Sequence, residues 1–215
     1  MDPVIAAYPC EPLTEGVMWC PQHGVAYQAD TNELVSYDAD YFNNYVRLES
    51  GEIGLKLNEF RTSITSKYVH TLLDIGIGSG QFIKSSSIKV FGYDINPFGV
   101  AWLKERNLYV DPYAELPAEV EGISLWDTLE HIPDPSQLFQ VIRKGMYLFV
   151  SIPIFPDLQK LTKSKHFKPN EHVLYFTQEG LVKYMTASGF TLLETSDEET
   201  KAGRESIMSF VFQKD

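Results

Sequence analysis

The chain has 215 residues, enough for one domain with an N-terminal addition and a sizeable core. Its formal charge of -11, from 29 acidic against 18 basic residues, opposes binding to the phosphate backbone of long nucleic acid. Two cysteines, Cys10 and Cys20, are too few for a disulfide framework; no apolar run reaches the roughly 18 residues of a membrane span; and the N-terminus lacks a basic region followed by an apolar one. We therefore expect a cytoplasmic protein with no membrane partner.

Residues 1–36 show no sustained periodicity and carry Pro3, Pro9, Pro12, Gly16, Pro21 and Gly24, which predicts irregular structure or a short hairpin. Cys20-Pro21-Gln22-His23 has two-residue ligand spacing, but with Cys10 the set stops at three, and a structural zinc site wants four ligands in paired spacings. No metal is expected. Residues 40–67 suit two amphipathic helices broken near Gly51 and Gly54, packed over the open end of a sheet. We take 1–67 as an N-terminal segment with cap helices and 68–215 as the main domain.

The remainder alternates as a doubly wound α/β sheet does. Strands are expected near 70–75, 89–94, 108–110, 122–126, 146–152, 190–195 and 206–213, and helices over 79–86, 97–107, 135–144 and 177–188. No helical pattern separates the last two strands, so the last should return antiparallel in a mostly parallel seven-stranded sheet. Only Gln81 to Lys89 lie between Gly80 and the second strand, and Ser85-Ser86-Ser87 is a poor helix interior, so the first helix must be short.

Leu72-Leu73-Asp74-Ile75-Gly76-Ile77-Gly78-Ser79-Gly80 runs an apolar strand into an acid and three alternate glycines, the place where backbone approaches a nucleotide. A dinucleotide fingerprint needs glycine at the sixth position from Gly76, where Gln81 stands, and Asp74 would repel a pyrophosphate. A carboxylate there suits the cationic amino group of S-adenosylmethionine, which has no phosphate. Asp94, with Ile95 beside it, follows Gly76 by 18 residues, near the roughly 20-residue offset at which an acid takes the ribose hydroxyls. Tyr113 and Ala114, after the third strand, are candidates for flanking the adenine. Asp127 ends the fourth strand, at the face where ligands of parallel sheets bind.

Residues 74–80 resemble motif I of the class I, Rossmann-like S-adenosylmethionine-dependent methyltransferases. Ile123-Ser124-Leu125-Trp126-Asp127-Thr128-Leu129-Glu130-His131-Ile132-Pro133-Asp134-Pro135 is similar to the strand-four signature of the subgroup that includes ubiquinone-biosynthesis O-methyltransferases, and Glu171-His172 through Gly189-Phe190 resembles that subgroup's C-terminal pattern. The resemblance covers about 68–212. It implies S-adenosylmethionine as cofactor, bound through Asp74, Gly76, Gly78, Gly80, Asp94, Ile95, Tyr113, Ala114 and Asp127, and it sets His131 near the transferred methyl group, which with Asp127 makes the pair of candidate catalytic residues.

An imidazole at His131 is suited to taking a proton from an acceptor near neutral pH, with pocket lining and structural hydrogen bonding as alternatives. His166 and His172 are weaker acceptor candidates, and Glu130 reads as a helix-start residue rather than a metal ligand. The expected reaction is methyl transfer to oxygen or nitrogen of a small acceptor. An anionic one would suit the basic segment Lys160, Lys163, Lys165, His166 and Lys168, which is otherwise a solvated loop. Methylation of a nucleotide or RNA base, and a scaffold that binds the cofactor without turnover, are the rival readings.

Overall fold

The computed structural model describes residues 2–31 and 51–215. Four short elements open the chain: α1 (Pro3–Ala6), β1 (Glu11–Thr14), β2 (Val17–Cys20) and β3 (Val25–Gln28). The strands form an antiparallel meander, turning at Gly16 and Gly24 with φ of 72° and 65°. The expected irregular structure or short hairpin is thus a hairpin extended by a third strand. Its signal was hidden because β3 is buried on both faces: Val25 and Tyr27 join the main core, while Ala26 packs with Phe155, Leu158 and Tyr175. No alternation of polar and apolar residues survives in a strand covered on both sides.

The first helix expected between 40 and 67 lies outside the described residues, and the second is α2 (Glu52–Ser66). Then follow β4 (Thr71–Ile75), α3 (Gln81–Ser85), β5 (Lys89–Tyr93), α4 (Pro97–Glu105), β6 (Gly122–Trp126), α5 (Ser136–Val141), β7 (Tyr147–Pro153), β8 (Leu174–Phe176), α6 (Gln178–Ala187), β9 (Phe190–Ser196), α7 (Glu198–Lys201) and β10 (Ile207–Lys214). The large sheet has the order β5-β4-β6-β7-β10-β9. Strands β5, β4, β6 and β7 pair in parallel, and β10 runs antiparallel to both β7 and β9.

Two expectations are corrected. The sheet has six strands rather than seven: residues 108–110 make a single bridge, Tyr109 to Gly92, before Asp111 and Pro112 turn the chain away. The acid-rich stretch 195–205 is not a plain connection, for it folds α7 and buries Glu199 completely. The sequence also gave no sign of β8, which leaves the loop after β7 and pairs with β3, making the N-terminal meander a four-stranded sheet. Phe176 bridges to Ile154, so that sheet is joined to the end of β7.

α2 presents Leu57, Asn58, Arg61, Ile64 and Thr65 to the interior, the three- and four-residue spacing of one helix face. Leu72, Leu73, Ile123, Leu125, Leu148 and Val150 have no exposed surface, and they fix the carboxyl ends of β4 and β6 beside one another.

Candidate active site

A cavity of about 320 Å³ opens at the carboxyl ends of β4, β5 and β6. Its floor is the turn after β4. Gly76 and Gly78 have φ of 77° and 54°, a backbone that side chains resist, and a Cβ on Gly76 would fall on the Thr128 side chain. Thr128 in turn donates from Oγ1 to the Ile75 carbonyl at 3.1 Å, tying the turn after β6 to that after β4. Asp74 is 1% exposed and accepts from Ser124 Oγ at 2.7 Å on the neighbouring strand, which fixes its carboxylate at the cavity wall.

Asp94 stands across the cavity at the end of β5. Burial pushes its carboxyl above the usual value, against backbone donors at Asn96, Ile77 and Ile95; the Asn96 N–H lies 2.8 Å from Oδ1. Gly99 in α4 leaves room for it, since a Cβ there would come within 3.1 Å of the carboxyl carbon. Ile95 and Tyr113 form an apolar rim, 68% and 45% exposed, with the Tyr113 ring edge-on to Tyr93 at 5.8 Å. Two expected cofactor residues lie outside the cavity wall. Gly80 instead caps α3 in the left-handed region against Trp102, and Ala114 sits exposed in a turn closed on Asp111.

Asp127 follows β6 with φ of 51°, a left-handed conformation that aspartate tolerates better than most residues. Both of its carboxylate oxygens are engaged. Arg204 donates to Oδ1 and Oδ2 at 2.9 and 2.7 Å, and Arg61 donates to Oδ2 at 3.2 Å. The same two arginines bind the buried Glu199, which also accepts from Ser151 Oγ at 2.7 Å. Burial alone would push Asp127 up, but Arg204 and then Arg61 reverse this and hold it at about 2. Arg61 also lies 5.0 Å over the Trp126 ring and reaches the cavity.

Sequence reasoning missed Arg61, Glu199 and Arg204. The available signal was Arg61, a charge on the buried face of α2; Glu199 is indistinguishable from its acidic neighbours.

The 3-10 turn Leu129–His131 brings Glu130 and His131 to the loop before β8. Val173 N–H donates to the Glu130 carbonyl at 2.7 Å, and His131 Nδ1 lies 2.9 Å from the Glu171 carbonyl. The rings of His131 and His172 meet edge-on at 4.8 Å. Burial pushes both imidazoles down, His172 to about 3, with His131 and Lys168 adding to the effect on His172. Burial, and then the charge of Asp127, push Glu130 well above the carboxylate range. His131 lines the cavity. His166 points elsewhere, its Nε2 being 2.7 Å from the Glu205 carbonyl. Among the described residues, Cys10, Cys20 and His23 do not come together as a set of metal ligands.

Residues 45–195 match the family model described as a methyltransferase domain, which is more than half of the chain. No curated protein sequence matches. Among solved structures, a S-adenosylmethionine-dependent methyltransferase from Archaeoglobus fulgidus is similar at TM-score 0.55 and 18% identity, over 81% of this chain and 100% of that one. The 1,6-didemethyltoxoflavin-N1-methyltransferase of Burkholderia thailandensis, with S-adenosylhomocysteine bound, is similar at 0.56 and 15% over 88% and 95%. The magnesium protoporphyrin IX methyltransferase of Synechocystis, also with that product, gives 0.53 and 16% over 82% and 97%. At these identities the likeness shows a fold, and the family match adds the activity. With the acid-flanked glycine turn and the sheet order in hand, the chain belongs to the methyltransferase-domain family of class I enzymes, with S-adenosylmethionine as its cofactor.

Proposed function

We propose that the protein transfers the methyl group of S-adenosylmethionine to oxygen or nitrogen of a small-molecule acceptor in the cytosol. The observation that carries this reading is one cavity holding two separated carboxylates, the buried Asp74 and the half-buried Asp94, with the half-buried imidazole of His131 at its other wall. In this reading Asp94 receives the ribose diol. A buried carboxylate pushed upward by desolvation gains most from donors, and a diol brings two. Asp74 faces the amino group of the cofactor, the Gly76–Gly78 turn lies against its backbone, and Ile95 and Tyr113 enclose the adenine. Gly80 and Ala114 act by shaping the turns beside these contacts.

His131 is the side chain that acts on the acceptor. We give Asp127 a positioning role, because two arginines occupy its oxygens and hold it ionised; Arg61, which it anchors, reaches the cavity. The 129–135 segment supports an acceptor like those of the ubiquinone-biosynthesis O-methyltransferase subgroup, and residues 68–215 form the catalytic domain behind a cap of residues 1–67. Methyl transfer needs little from side chains beyond placement: well-oriented reactants gain roughly 7–11 kcal/mol, against about 3–5 kcal/mol for a general base.

Calorimetric titration with S-adenosylhomocysteine, with NAD as control, tests the cofactor half. Mass-spectrometric screening of small hydroxyl- and amine-bearing metabolites for the gain of one methyl group tests the acceptor half. Tight binding of the first ligand alone and one methylated product are expected; NAD binding, or no binding by folded protein, would overturn the proposal.

A further inference from the structure

The two cysteines of the chain face one another across the small sheet. In β1 and β2, Glu11 pairs with Trp19 and Pro12 with Met18, and the same register carried one residue outward sets Cys10 opposite Cys20. Facing residues of an antiparallel ladder stand about 4.5–5.5 Å apart at Cα, inside the roughly 4.4–6.8 Å that a disulfide bridges. Cys20 has no exposed surface and lies in the main core with Val25 and Tyr27, and Cys10 packs against that same core from its edge. Both thiols are free.

The surroundings of the two sulfurs agree with this pairing. Burial, and then the Cys10 and Cys20 thiols, push the Tyr27 hydroxyl up to about 12, so one phenol stands beside both sulfurs. Burial likewise pushes the Cys10 thiol up, against a hydrogen bond with Tyr27, and the neighbouring Cys20 thiol adds to the rise. Cys10 Sγ also donates to the Tyr8 carbonyl at 3.4 Å and lies 3.8 Å from that of Ile5, which hold it over the end of the hairpin. Access separates the pair: Cys10 is half-buried and meets solvent, whereas Cys20 is sealed in the core.

The structure assigns Cys10 and Cys20 as the partners of a reversible cross-strand disulfide, formed by exchange with a low-molecular-weight disulfide of the glutathione class. Access sets the order of events. The Cys10 thiolate attacks one sulfur of the small disulfide, whose S–S bond breaks with its electron pair on the departing sulfur, and that sulfur takes up a proton equivalent to the one Cys10 released. The Cys20 thiolate then attacks the Cys10 sulfur of the mixed disulfide and expels a second small thiol in the same way. Two thiol hydrogens, with their two electrons, leave the protein, and one small disulfide becomes two thiols. The raised Cys10 thiol makes the first step slow at neutral pH and faster in base. In a reducing compartment such a pair serves as a transient, redox-sensing bridge rather than as a framework.

The bridge closes residues 10–20 into a ring around the Gly16 turn. It fastens the chain leading from α1, whose Asp2 accepts from Tyr184 Oη of α6 at 2.7 Å, to the strand that pairs with β3. Oxidation therefore staples the N-terminal segment to the small sheet and removes freedom from the unfolded chain, which raises stability. Neither cysteine lines the cavity.

For the test, the folded full chain is incubated with excess oxidised glutathione at mildly alkaline pH and quenched with acid; free thiols are then alkylated in denaturant and the intact mass is read. Wild type is compared with Cys10→Ser and with Cys20→Ala, which keeps a small apolar side chain in the core. Wild type should lose two hydrogens, take up no alkylating group and remain a single chain, and dithiothreitol should restore both thiols. Cys20→Ala should stop at one glutathione on Cys10, and Cys10→Ser should stay unmodified. Oxidised wild type should melt at a higher temperature than the reduced form, a difference that Cys10→Ser lacks. A glutathione adduct that persists in wild type, a disulfide between two chains, or two alkylatable thiols after the incubation would overturn the assignment.

Discussion

Asp94 and Asp127 are both acids at strand ends, and the structure gives them opposite environments. Asp94 has main-chain donors and a carboxyl raised by burial, so it has hydrogen-bonding capacity for a ligand. Asp94→Ala should weaken S-adenosylhomocysteine binding about 10- to 100-fold, the effect of losing a charge-assisted hydrogen bond of roughly 1.5–3 kcal/mol, and titration calorimetry reads it directly. The circular dichroism spectrum should not change.

Asp127 is spent on arginines. Asp127→Ala leaves Arg61 and Arg204 with a single buried carboxylate between them and should cost about 3–5 kcal/mol in urea unfolding. Its pH signature has a definite sign. The folded carboxyl sits at about 2 against an ordinary 3.8, so the unfolded chain takes up the proton first. The stabilisation is complete above about pH 4 and is lost as pH falls toward 2, and the variant should lack this part of the acid transition. The sequence marked both residues as site candidates because strand-end acids precede ligands. It could not separate them, because the partners of Asp127 come from 66 and 77 positions away.

Among the elements, those of the parallel core were legible because an apolar run followed by glycine or an acid has one structural meaning. β4, β5, β6, β7, β9 and β10 all fall where the pattern set them, and the short α3 follows from the length of 81–89. What escaped were elements whose burial comes from distant chain. β3 is covered on both faces and β8 has three residues, so neither offers a period. α7 is four residues, two acids followed by Thr200 and Lys201, legible only through Glu199, which is buried against Arg61 of α2.

One contact tests how the small sheet is docked. A Cβ on Gly180, in the first turn of α6, would strike the Gly24 carbonyl between β2 and β3. Alanine there gains about 1 kcal/mol of helix propensity, but main chain cannot yield as a side-chain tip does, and overpacking costs roughly 1–3 kcal/mol. Gly180→Ala should therefore lower the urea midpoint by an amount equal to as much as about 2 kcal/mol, with cofactor affinity of the folded fraction unchanged.

At the scale of the whole molecule, a net charge of -11 makes a polyanion an unwelcome partner. A single-stranded RNA at low ionic strength should leave the melting temperature where it was, whereas S-adenosylhomocysteine should raise it; an RNA-dependent rise that fades with salt would support the nucleic-acid reading instead. Among the described residues no helix is long and apolar enough to cross a membrane.

The order of strands carries a consequence for how the molecule is made. β10 is the last strand in sequence but lies inside the sheet, between β7 and β9, and Arg204 just precedes it. While a ribosome extends the chain, β7 waits as an unpaired edge, β9 has no neighbour, and Asp127 has only Arg61 for charge balance. An edge of this kind invites pairing with other chains. The nascent protein is thus a template for aggregation until residues 207–214 clear the exit tunnel, and a stall shortly before them yields a chain with its glycine turn complete but its sheet still open.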